Sequence, residues 1–64
     1  MKNCIEQLRT QMDITQEELS KLTDISVKEL TAIENNQIDP SLIDAHKITK
    51  ALKQEFIASV FVLE

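Results

Sequence analysis

Two helix starts lie eleven residues apart between Thr15 and Glu34, and they restrict this chain more than any other feature. Thr15 is followed three residues later by Glu18, and Ser26 by Glu29. Each pair has the spacing of a capping box: the hydroxyl accepts from the amide at the third helical position, and the carboxylate reaches back to the cap amide. Only Thr23-Asp24-Ile25 separates the first helix from the second start. So short a link cannot return a helix antiparallel to its neighbour, so the two must cross steeply. Leu19/Leu22 and Leu30/Ile33 have helical i,i+3 spacing and are expected to face inward, with Ile25 plugging the turn.

The rest of the chain is helical in character. It has no glycine, one proline and two aromatics, Phe56 and Phe61, which suits helices and suits sheets poorly. Asn3 is expected to cap a first helix running to about Met12, with Ile5, Leu8 and Met12 inside. Asp39-Pro40 reads as the N-cap and first residue of a helix reaching about Leu52. Its inner face would be Leu42, Ala45, Ile48, Thr49 and Leu52, with Lys47, Lys50 and Lys53 on or near the other side. The expected fold is all-α: one domain, residues 1–64, a compact bundle of four to five short helices. At 64 residues the core is modest, and oligomerisation would help it.

The segment from Glu55 to Glu64 carries six large apolar residues in ten. Phe56 and Val60 would face in, leaving Ile57, Phe61, Val62 and Leu63 partly exposed as a homodimer interface. The competing arrangement folds this tail back over the first helix.

A steeply crossed pair is a helix-turn-helix unit, here residues 15–34, whose second helix can enter a DNA major groove. From about Ile5 to Leu52 the chain resembles the lambda-repressor-like helix-turn-helix proteins, the Cro and xenobiotic-response-element regulators. The resemblance is carried by Leu8-Arg9, Ile14 to Leu19, Ile25-Ser26, Ala32-Ile33-Glu34-Asn35, Asp39 to Leu42, Lys47-Ile48 and Ala51-Leu52. It implies an ion pair between Arg9 and Glu34, and left-handed backbone at Asp13, Asp24 and Asn36, where the family often has glycine. It also implies a phosphate contact at Gln16 beside the Thr15 cap, a backbone contact at Ser26, and base contacts at Val27, Lys28 and Ala32. The loop at Asn36 and Gln37 would approach phosphate, although Gln37 lacks the charge common there. Lys28 suits guanine O6 and N7, Val27 and Ala32 suit thymine methyls, and Ser26 and Thr31 can donate to phosphates.

Function follows as an expectation: a sequence-specific DNA-binding transcriptional regulator, a repressor, acting as a homodimer on a near-palindromic operator in double-stranded DNA. Seven Lys and Arg against eleven Asp and Glu give a net charge of −4, which predicts weak non-specific affinity and strong salt sensitivity. That acidity, with Val27, Glu29 and Gln37 on the reading side, supports a second class: a protein-interaction module, antirepressor or antitoxin-like, with a protein partner. An enzyme is not expected, for there is no glycine-rich phosphate loop, no Cys/His cluster and no Ser/His/Asp set with a pocket. No cofactor, metal or small-molecule ligand is expected; His46 is lone and exposed, and Cys4 reads as a small apolar filler. The single cysteine fits a reducing cytoplasm, and there is neither an apolar leader nor a run long enough to span a membrane.

Overall fold

The structure, a computed structural model, describes residues 1–62. Four α-helices run in order: α1 Ile5–Gln11, α2 Gln16–Thr23, α3 Val27–Glu34 and α4 Leu42–Ala51. A single 3-10 turn, Ile57–Ser59, follows. The fold is all-α; the one extended feature among the described residues is an isolated antiparallel bridge between Asn3 and Phe61. No described helix is long and apolar enough to cross a membrane.

Three of the four α-helix starts, those of α2, α3 and α4, are set by side chains. Thr15 Oγ1 accepts from the Glu18 amide at 3.1 Å and Glu18 Oε1 accepts from the Thr15 amide at 3.1 Å, a complete capping box. Ser26 Oγ accepts from the Glu29 amide at 3.1 Å, but no return bond from the Glu29 carboxylate forms. The second box is therefore half a box. α4 starts two residues later than Asp39-Pro40 suggests: Ser41 is the N-cap and accepts from the Asp44 amide, while Asp39 Oδ1 accepts from the Met1 amine. Asn3 is not the N-cap of α1 either; Cys4 is, without a side-chain bond. Asn3 Oδ1 still accepts from the Ile5 amide, but the Asn3 backbone belongs to the bridge with Phe61.

The helix ends share one solution. After α1, α3 and α4 the residue past the C-cap is left-handed: Asp13 at φ 58°, Asn36 at 62° and Lys53 at 58°. The next amide then reaches back to the third-last helical carbonyl, in Ile14 to Arg9, Gln37 to Ala32 and Gln54 to Thr49. This is the Schellman arrangement, which satisfies carbonyls the helix leaves over. Asp24 ends α2 in the same left-handed region, at φ 60°. Glycine would meet no Cβ penalty at these sites, and this chain has none. Asp13, Asp24 and Asn36 are the positions the family resemblance implies; Lys53, a residue type with no local side-chain compensation for this conformation, is not among them.

The core gathers Ile5 from α1, Leu19 from α2, Leu30 and Ile33 from α3, and Ala45, Ile48 and Leu52 from and just after α4, around Ile25 in the turn. α2 packs against both α3 and α4. Its buried face is Leu19 and Thr23, an i,i+4 pair, not Leu19 and Leu22; Leu22 points to solvent at 63% exposure. Thr23 tolerates burial because its hydroxyl donates to the Leu19 carbonyl at 2.8 Å. Thr49 repeats the device with Ala45 at 2.7 Å. Leu42, expected inside, is 77% exposed: it lies on the same helical line as Ala45 and Thr49, but it is the first residue of a later-starting α4, and the core begins one turn further on, at Ala45.

The tail folds back. The Cys4 amide donates to the Val60 carbonyl at 2.9 Å and the Val62 amide to the Lys2 carbonyl at 2.8 Å, on either side of the Asn3–Phe61 bridge. Phe61 is 1% exposed and Val60 equally buried. Phe61 is thus a core residue of its own chain, which corrects its place in a dimer interface. Ile57 is half-buried against the same core, Val62 is exposed, and Leu63 lies outside the described residues. Phe56, expected inside, is exposed: it is extended at φ −123° and ψ 141°, so the helical i,i+4 relation to Val60 does not hold.

Candidate nucleic-acid interface

The site is built from the back forwards. Behind α3, Arg9 Nε donates to Glu34 Oε2 at 3.2 Å and its Nη2 to Glu34 Oε1 at 3.1 Å. The remaining terminal nitrogen, Nη1, donates to the Ile14 carbonyl at 3.2 Å. The side chains are 15% and 5% exposed, so the pair is mostly withdrawn from water. A planar guanidinium held two-fold by one carboxylate fixes orientation as well as distance. The clamp locks the last turn of α3 to α1, and through Ile14 to the link that leads into α2. The ion pair implied by the resemblance is present.

Leu30 and Ile33 anchor the inner side of α3. Helical periodicity then turns Val27, Lys28, Thr31, Ala32 and Asn35 outward. Lys28 and Ser26 are exposed, while Val27, Thr31 and Ala32 are half-buried. Lys28 is the only cation of α3 and joins no ion pair among the described residues. Glu29 is also exposed, and with its return cap bond absent its carboxylate faces solvent one residue away.

Gln16 joins the two helices across the turn. The Thr31 hydroxyl lies 3.1 Å from Gln16 Oε1 and 2.8 Å from the Val27 carbonyl. A hydroxyl has one proton, so it cannot donate to both. Turning the Gln16 amide over satisfies both contacts, with the Gln16 nitrogen donating to Thr31 and Thr31 donating to Val27. Thr31 is then spent within the protein and is a poor phosphate donor, which changes its expected role. Gln16 keeps its oxygen and a second amide hydrogen free at the start of α2, where unpaired backbone amides favour an anion. Thr15 and Ser26 are exposed caps whose oxygens accept backbone amides.

Asn36 and Gln37 are exposed at the end of α3. Asn36 Oδ1 lies 3.3 Å from Asn3 Nδ2, which also donates to the Ile33 carbonyl at 2.9 Å. Asn3 therefore ties the amino-terminal segment to the end of α3 and steadies the loop that carries Asn36 and Gln37. Sequence reasoning missed this role: the contact spans thirty residues, and no local pattern signals it.

The structure thus brings Thr15, Gln16, Ser26, Val27, Lys28, Thr31 and Ala32 onto α2 and α3 around one turn, and places Asn36 and Gln37 in the loop beyond α3. The helix-turn-helix family profile matches residues 5–56, most of the chain. The chain is 36% identical over all 64 residues to a protein of Methanothermobacter thermautotrophicus named as an uncharacterized HTH-type transcriptional regulator, covering 93% of it. It is 38% identical over the same span to another so named, from Methanocaldococcus jannaschii, covering 96%. With α2 packed on α3 across a three-residue turn, the Arg9–Glu34 clamp and this match in hand, the chain belongs to the helix-turn-helix family of lambda-repressor-like, DNA-binding transcriptional regulators.

Proposed function

We propose that this chain is a sequence-specific repressor that binds a near-palindromic operator as a homodimer, with α3 of each copy in the major groove. The observation that carries the reading is the outward face of α3, in which Val27, Lys28 and Ala32 follow the Ser26 cap on a helix held rigidly from behind by Arg9 and Glu34. Lys28 reads guanine through O6 and N7, and Val27 and Ala32 pack on thymine methyls. Gln16, Ser26 and the Asn36-Gln37 loop set the register on phosphates. A regulator of this kind works in the cytoplasm, where its operator is, and copies of α3 about 34 Å apart match successive half-sites.

A second reading is favoured by one specific observation: the exposed Glu29 carboxylate beside Lys28, which joins no ion pair among the described residues. On a chain of net charge −4, that group weakens any DNA contact and suits a protein partner instead. Fluorescence anisotropy with mixed-sequence DNA, from low to physiological salt, separates the two. The repressor reading expects binding at low salt that weakens as salt rises. A folded protein that binds no DNA at any salt would move the assignment to the protein-interaction module.

A further inference from the structure

The loop between α3 and α4 carries Asn36 and Gln37, both exposed and neither charged. A lysine there would act on phosphate as a point charge, whereas an amide must be aimed. The aim of Asn36 is set from outside the loop. Asn3 Oδ1 accepts from the Ile5 amide at 3.2 Å, and the two hydrogens of its Nδ2 face the end of α3. One goes to the Ile33 carbonyl at 2.9 Å and the other to Asn36 Oδ1 at 3.3 Å. Ile5 and Ile33 present backbone groups of fixed polarity, so the Asn3 amide cannot be turned over, and the Asn36 atom facing it must be the oxygen. Asn36 Nδ2, on the other arm of that amide, points away from Asn3 and donates to nothing among the described residues.

Asn3 is held in turn by the tail. The Cys4 amide donates to the Val60 carbonyl at 2.9 Å and the Val62 amide to the Lys2 carbonyl at 2.8 Å, one bond on each side of Asn3. Phe61, which bridges to Asn3, is anchored in the core. The same amino-terminal segment meets the loop a second time, where the Met1 amine donates to Asp39 Oδ1 at 2.7 Å. We propose that Asn3 is a positioning residue for DNA binding: it aims the Asn36 amide nitrogen at a backbone phosphate, and the carboxy-terminal tail acts on DNA affinity through it. The inference rests on the repressor reading, and adds to it a residue outside the helix-turn-helix unit and a dependence on the tail.

The test compares wild type, Asn3→Ser, Val62→Pro and the double variant by fluorescence anisotropy with mixed-sequence DNA at low salt, and by amide hydrogen exchange without DNA. Serine keeps an oxygen near the Ile5 amide and is too short to reach Ile33 or Asn36. Val62→Pro deletes the amide that donates to Lys2; the Val62 side chain is exposed, and the residue before a proline is extended, as the bridge requires of Phe61. Each single variant is expected to bind about tenfold more weakly, the worth of one well-placed hydrogen bond. The double variant should bind no more weakly than Asn3→Ser, because the tail acts through Asn3. Exchange should quicken at the Asn36 and Gln37 amides, which bond the Ile33 and Ala32 carbonyls, and keep wild-type rates in α2. Wild-type affinity in Asn3→Ser, losses that multiply to about 100-fold in the double variant, or faster exchange throughout all helices each overturn the proposal and leave the repressor reading standing. A folded wild type that binds no DNA at any salt overturns both.

Discussion

The two faces of α3 are finished to different degrees. On the inner face every group is accounted for: Leu30 and Ile33 are buried, and Glu34 is held by Arg9 at both carboxylate oxygens. On the outer face there is one cation, two small apolar side chains, a threonine bonded within the protein and an exposed Glu29 that joins no ion pair among the described residues. Holding a recognition helix in place and making it bind tightly are separate tasks, carried by different residues. This chain does the first thoroughly. Its affinity for DNA would come from few contacts, and its sequence preference from still fewer.

The contrast can be broken first from the inside. Arg9→Met strands the Glu34 carboxylate away from water and should destabilise by about 3–5 kcal/mol. Thermal melts should place it far below Lys2→Met, whose side chain is exposed; equal melting temperatures would remove the clamp from the explanation. Phe61→Ala probes the terminal clasp in the same way. A fully buried phenylalanine should be worth about 3–5 kcal/mol if the tail belongs to the core, and close to nothing if it does not.

Changes on the outer face should leave the fold alone. Thr15→Ala loses a complete capping box and should cost about 1 kcal/mol. Glu29→Gln breaks no return bond, so its melting temperature should stay near that of wild type while DNA affinity at low salt rises. A loss of stability comparable to that of Thr15→Ala would mean that the second box closes after all. The one gain in stability expected comes from Lys53→Gly, which relieves a left-handed lysine and should stabilise by up to about 1 kcal/mol in denaturant titrations.

The inner face of α3 could be read from the chain because it obeys local rules. Hydroxyl-to-glutamate spacing located the first residues of α2 and α3, and Leu30 with Ile33 fixed which side of α3 is buried; α2 runs one residue further than the sequence suggests, through Thr23. The ion pair and three of the four left-handed positions came through the family resemblance, residue by residue. Periodicity failed where a helix has two plausible apolar stripes or stops being a helix. Thr23 displaced Leu22 because an i−4 hydrogen bond makes a buried threonine tolerable, and Phe56 turned out because its backbone is extended. The tail could not be settled from composition alone. Its apolar residues fit a dimer as well as a clasp, and the choice depends on pairing with Lys2–Cys4, nearly sixty residues away. On the DNA-facing side the candidate residues were legible, but their states were not: that Thr31 is occupied and Glu29 free depends on which hydrogen bonds close.

Enrichment of bound sequences from a random DNA library, run in parallel with wild type and Lys28→Ala, addresses the outer face of α3 most directly. If that face reads DNA, wild type enriches a near-palindromic motif and Lys28→Ala, equally folded, loses the preference at one position in each half-site, about 1–3 kcal/mol of discrimination. The same motif enriched with the same strength by both proteins would contradict it, and would place recognition elsewhere on the molecule.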